Sequence, residues 1–292
     1  MVGAAKPQFL CAIENIIGET VANATPLGGG CVGEVYRIDL SSGERLVAKI
    51  GNESSDPDGG LALEGWMLET LKERSRLPVP TILHAADSLL LMEYIEGGDE
   101  INEAAQEHAA ELLADLHGVT APQFGLEKDT LIGGLAQPNP PSDCWPEFFR
   151  DHRLLYMGHQ AMAAGRLPGP VMDRLERFAA RIKEWIGEVA EPALIHGDMW
   201  GGNVLARKGR IAGFVDPAIY YADPEIELAF STLFSTFGEA FFRRYQEIRP
   251  IAPGFFEERR DIYNLYPLLV HVRLFGSGYV GGVEGILTRF GT

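Results

Sequence analysis

Apolar and polar side chains alternate through Glu34–Leu40 (EVYRIDL), turn at residues 41–43, and resume in Arg45–Ile50 (RLVAKI). A period of two bounded by Ser and Gly predicts paired strands. A glycine-rich stretch at 27–31 precedes them, and the polar run 52–60 (NESSDPDGG) reads as a loop. The period then changes. Leu63, Met67, Leu68 and Leu71 fall on one stripe of a helix over 61–74, and apolar runs at 81–85 and 89–94 read as two more strands. The expectation is a small β-rich lobe of three strands, one helix and two strands.

Residues 96–99 (EGGD) punctuate the chain, and helical periodicity dominates beyond them. Residues 103–117 carry Ala109, Leu112, Leu113 and Leu116 on one face, with Gly118 as a stop. Further helices are predicted over 146–164, 171–189, 225–244 and 257–275, the first after the proline-rich 137–145. This is an α+β chain in two lobes, a nucleotide-binding lobe over 1–96 and a catalytic, substrate-binding lobe over 97–292, with a cleft expected between them.

Composition narrows the partners. With 292 residues, 46% apolar and 10% aromatic, the chain can bury a substantial core. A net charge of −16 without a basic run argues against nucleic acid or an anionic membrane surface as partner. It tolerates a neutral or cationic substrate. Neither a signal-peptide pattern nor an apolar window long enough to span a bilayer is visible. Cys11, Cys31 and Cys144 form no metal or disulfide framework, so the cytoplasm is the expected compartment.

The chemistry concentrates in LIHGDMWGGNVLARKGRIAGFVD, residues 194–216. Two short strands, Ala193–Ile195 and 211–215, each deliver an aspartate, Asp198 and Asp216, and Asn203 follows Asp198 by five residues. That is the D-x-x-x-x-N spacing of a kinase catalytic loop. Asp198 is the expected catalytic base, with Asn203 and Asp216 as Mg²⁺ ligands on ATP phosphates. His196 reads as a brace for the loop.

Gly28, Gly29, Gly30 and Gly33 lie between strands, which excludes the Rossmann and Walker readings; alone they would read as a plain hairpin turn. Strand lysines ordinarily face solvent. Yet Lys49 stands 15 residues before Glu64 of the first amphipathic helix, the kinase arrangement of a phosphate-gripping lysine and its positioning glutamate. Glu93, Tyr94 and Ile95 end the apolar run at the lobe boundary and are the expected adenine-contacting hinge.

HGDMWGGN resembles the HGDLWGGN loop of the fructosamine kinase family, relatives of aminoglycoside and choline kinases. The likeness extends to GGGC at 28–31, IGGLAQPNPPSDCWPEFFRDHRL at 132–154, DPAIYYADPEIELAF at 216–230 and YNLYPLLVHVRLFGSGYV at 263–280. It implies a protein-kinase-like fold and phosphorylation of the 3-hydroxyl of a ketosamine, a deglycation activity, with Trp200 as a wall of the sugar site. A monomer is expected; the resemblance also marks Cys31 as the position where some members carry the thiol of a redox-linked dimer, the other reading being a free, inert cysteine. The chain departs from the pattern at Pro217, where no mobile activation segment is expected, at Glu227 in place of aspartate, and at Pro141 and Cys144. The rivals are an aminoglycoside- or choline-type kinase and a nucleotide-binding pseudokinase.

Overall fold

The computed structural model describes residues 7–28, 34–51, 60–189 and 191–292. Its first part is an antiparallel sheet of β1 (Val21–Leu27), β2 (Glu34–Leu40), β3 (Arg45–Ile50), β4 (Ile82–Ala86) and β5 (Leu89–Glu93), in the order β1-β2-β3-β5-β4. Helix α1 (Gln8–Ile17) packs Leu10 and Ile13 against one face, on Ile38, Leu46, Ala48, Leu89 and Leu91. Helix α2 (Gly60–Arg74) places Met67, Leu68 and Leu71 in the cluster that holds Leu90 and Met92 from the other face. Cover on both faces explains why β5 is apolar without alternation.

Beyond the sheet, residues 97–99 dock on the next lobe. The amides of Gly98 and Asp99 donate to the Ala206 carbonyl, each at 3.1 Å. Gly97 lies so close to Leu205 that a Cβ there would stand 2.8 Å from the leucine's own. Helix α3 (Glu103–Leu116) begins with an Asn102 cap whose side chain accepts from Ala105 N. The helical part continues with α4 (Trp145–Phe149) and α5 (Tyr156–Ala163), then α6 (Gly169–Ala179), α7 (Glu225–Leu233), α8 (Glu239–Ile248), α9 (Arg260–Phe275) and α10 (Val280–Arg289). No helix of the described residues is long and apolar enough to cross a membrane.

Several sequence expectations change. The predicted helix over 146–164 contains a π-helical turn, Arg150–Leu155, between α4 and α5. The helix predicted over 171–189 ends at Ala179, because Trp185 folds back onto Phe178 with ring centroids 5.0 Å apart. Seven residues of continuous helix would separate them by about 10.5 Å along the axis. The helix predicted over 225–244 divides into α7 and α8 at Ser235, whose φ of 55° is left-handed. Helices α1 and α10 were not anticipated, nor was the hairpin of β6 (Thr130–Ile132) and β7 (Leu135–Gln137).

Candidate active site

Strands β8 (Ala193–Ile195) and β11 (Tyr220–Ala222) pair antiparallel and clamp the two ends of the aspartate-bearing segment. Between them β9 (Val204–Arg207) and β10 (Arg210–Phe214) form a hairpin turned at Lys208 and Gly209, both left-handed. The loop after β8 and the return after β10 are then stitched together: Val215 N donates to Asn203 O at 3.0 Å, and Ala218 N to His196 O at 2.7 Å. Asp198 and Asp216 therefore enter one pocket through local pairing alone.

Asn203 Nδ2 donates to the Asp198 carbonyl and to its Oδ2, each at 2.9 Å, which fixes the carboxylate's orientation. Burial above all pushes the Asp198 carboxyl up to about 7; the Asn203 hydrogen bond opposes this, and the negative charges of Asp216 and Glu227 reinforce it. A base poised near neutrality suits proton acceptance. His196 is fully buried, donates from Nε2 to Val215 O at 3.0 Å and accepts from Asp198 N at Nδ1. Both ring nitrogens are thus engaged by a neutral imidazole, whose pKa burial lowers. It braces the loop, as the sequence suggested.

Lys49 lies on the face of β3 that α2 covers, so its side chain meets the helix and the cleft. Its Nζ is 2.7 Å from Glu64 Oε1 and 2.5 Å from Asp216 Oδ1. Burial favours the neutral amine, but the carboxylates of Glu64 and Asp216 together hold the ammonium above its ordinary range. Asp216 has a φ of 55°, a left-handed conformation that aspartate tolerates better than most residues. Among the described residues, the side-chain oxygens of Asn203 and Asp216 that these bonds leave over are hard donors of the kind Mg²⁺ takes.

A cavity of about 360 Å³ opens beside Lys49 and Asp216, lined also by Gly28, Val47, Met92, Glu93, Tyr94, Ile95 and Leu205. The three expected hinge residues are all in its wall. Gly29, Gly30 and Cys31 lie outside the described residues. A second cavity, about 290 Å³, has Asp198 in its wall, and Trp200 lines both. Gly202 makes room for that indole, since a Cβ there would stand 2.3 Å from its ring. The second glycine after Trp200 is therefore a packing requirement as much as part of a motif, whereas a Cβ on Gly201 would meet open space.

The family model for fructosamine kinase matches residues 9–290. The chain belongs to the fructosamine kinase family. Among relatives of this family member, a probable ketoamine kinase of Synechocystis sp. is 35% identical over 271 residues, 90% of this chain and 88% of its own length. The chloroplastic protein-ribulosamine 3-kinase of Arabidopsis thaliana is 33% identical over 277 residues, 90% of this chain and 81% of the relative. A crystal structure of a candidate fructosamine-3-kinase from Thermobifida fusca superposes with a TM-score of 0.85 at 30% identity, covering 97% of this chain and all of that one. A thermostable mutant of aminoglycoside phosphotransferase APH(4)-Ia gives 0.69 at 17% identity, covering 97% of this chain and 100% of that one, and shows the shared protein-kinase-like fold alone.

Glu227 now has a place in this family member that sequence reasoning left undefined. Its Oε1 accepts from Gly197 N at 2.7 Å and its Oε2 lies 2.8 Å from His117 Nε2; His117 Nδ1 is 2.7 Å from the Tyr245 hydroxyl. All three side chains are buried. The chain of contacts anchors the loop one residue before Asp198 to α3, α7 and α8. Neither His117 nor Tyr245 carried a motif, and their separation of 128 residues hid the pairing. His117→Ala, which strips a buried carboxylate of one partner, is expected to lower stability by about 3 kcal/mol in denaturant unfolding. An unchanged midpoint would show that the contact contributes nothing.

Proposed function

We propose that this chain transfers the γ-phosphoryl group of ATP to the 3-hydroxyl of a ketosamine, a fructosamine or ribulosamine, in deglycation repair. The observation that carries the reading is Asp198, held by Asn203 beside a pocket that Trp200 shares with the nucleotide cleft. Family membership and relatives named ketoamine kinase and protein-ribulosamine 3-kinase support the substrate class.

In this reading Asp198 orients the acceptor hydroxyl and takes its proton as the new O–P bond forms and ADP leaves. Lys49, positioned by Glu64, grips phosphate oxygens, and residues 93–95 offer backbone groups to adenine. Gly28, with Gly29 and Gly30, covers the phosphates. Asn203 and Asp216 hold Mg²⁺, which when bound neutralises charge on the phosphate oxygens. Residues 1–96 then form the nucleotide-binding lobe and 97–292 the catalytic lobe. The same reading keeps the chain cytoplasmic and monomeric, with a Cys31-linked dimer as the oxidised alternative.

The test is a substrate panel with coupled ADP detection. Ribulosamine and fructosamine derivatives of lysine are expected to turn over, and kanamycin-type aminoglycosides and choline are not. Activity on an aminoglycoside without activity on either ketosamine would reverse the assignment.

A further inference from the structure

The cavity beside Asp198 is lined mostly by rings. Its described walls include Trp200, Phe230, Phe234, His271, Phe275 and Tyr279, and among the described lining residues Asp198 alone bears a carboxylate. The rings touch one another around His271: its centroid is 4.8 Å from Phe234, 4.9 Å from Tyr279 and 5.5 Å from Phe275. Phe234 and Phe275 are 38% and 55% exposed, so two large apolar rings stand open to solvent beside the base. Such exposure is where an apolar or cationic ligand group gains most.

His271 would disfavour a cation if it were protonated, and it is held against that. Burial lowers its pKa, outweighing the bond that its Nδ1 donates to the Pro267 carbonyl at 2.7 Å, which by itself would raise it. The belt is therefore aromatic and uncharged. Covalent geometry supplies the remaining link. In a ketosamine the amine nitrogen is four bonds from the 3-hydroxyl oxygen, on the order of 4–5 Å at standard bond lengths. An acceptor oxygen at Asp198 thus puts the adduct nitrogen within reach of this same cavity, whose wall holds Asp198.

We infer that the belt of Phe234, His271, Phe275 and Tyr279 is the subsite for the acceptor's secondary ammonium, held by attraction to ring faces rather than by a carboxylate partner. It rests on the ketosamine reading and adds a selection rule. The subsite favours one cation attached to the ketose, binds neutral ketoses more weakly, and has too few carboxylates among its described residues to satisfy a polycationic aminoglycoside.

The experiment compares an N-alkyl ketosamine with its 1-O-alkyl ether, in which oxygen replaces the amine nitrogen. KM for the ether is expected to be about 10-fold higher with kcat little changed. Phe275→Leu and Tyr279→Leu are each expected to raise KM for the amine about 5-fold and leave that for the ether unchanged. Equal KM values for the two substrates in the wild type would overturn the inference while leaving the ketosamine reading intact. Leucine variants that weaken both substrates alike would also overturn it, reducing the rings to an apolar wall. Phe275 is exposed enough that its variant should fold, and the wild-type comparison stands without either variant. Turnover of neither substrate by folded protein would sink the ketosamine reading, and the inference with it.

Discussion

Asp198→Asn is expected to lower kcat by about 10²–10⁴-fold, the range a positioned general base contributes. KM for ATP should stay within about threefold, because Lys49 and the 360 Å³ cleft are untouched. Asparagine keeps the size of the side chain and can still accept from Asn203 Nδ2, so the loss would report the missing base rather than a collapsed loop. The pH profile carries the sign. Asp198 accepts a proton only when ionised, and its carboxyl is pushed up to about 7. Wild-type kcat/KM should therefore fall below about pH 7 and level off above it. Linkage adds a stability signature. A carboxyl whose folded pKa exceeds its unfolded value stabilises the fold fully below the unfolded pKa, and that contribution is lost as pH rises through about 7. At pH 8 the asparagine variant should thus be more stable than wild type, with the difference shrinking as the pH falls below 7. Near-normal turnover in the variant would remove Asp198 from the assigned role.

Gly197→Ala should be the most disruptive single methyl in the site. Gly197 has a φ of 86°, and a Cβ there would stand 2.1 Å from the Ala218 carbonyl oxygen and 2.7 Å from its carbon. Both atoms belong to backbone pinned by the Ala218 N–His196 O bond, so they cannot swing away as a flexible side chain would. The left-handed backbone penalty and the overpacking together come to about 3 kcal/mol or more. Thermal unfolding should shift down by about 6 °C or more. Activity should fall with it, because Ala218 lies two residues after Asp216 and the displaced segment between β10 and β11 would carry that carboxylate away from Lys49. A variant melting within about 2 °C of wild type, with normal turnover, would mean that the loop relaxes far more readily than this geometry allows.

The site was legible in the sequence to different depths for identifiable reasons. Asp198, Asn203 and Asp216 were readable because hairpin and strand pairing bring them together over 18 residues, so spacing alone encodes their approach. Lys49 and Glu64 were readable as a pair because a strand and its following helix have few ways to pack, and the 2.7 Å contact agrees. The clamp of Glu227, His117 and Tyr245 was not, since three separate helical segments must pack before those side chains meet. Helix ends were misplaced where tertiary contacts override periodicity, as at Trp185 stacking on Phe178.

By itself, the sequence determined the α+β class, the order of a β-rich part followed by a helical one, the spacing of Asp198, Asn203 and Asp216, and the family. All of these depend on local pattern and short-range spacing. Tertiary structure alone brought Asp216 against the Lys49 ammonium at 2.5 Å, since the two residues come from parts of the chain 167 residues apart. It also raised the Asp198 carboxyl toward neutrality, because desolvation is a property of the packed fold and of no residue in isolation. Most of all it gathered Phe234, His271, Phe275 and Tyr279 around one cavity that Trp200 also lines. Those rings come from the loop after α7, from α9 and from the turn that follows it, and only helix packing makes one wall of them.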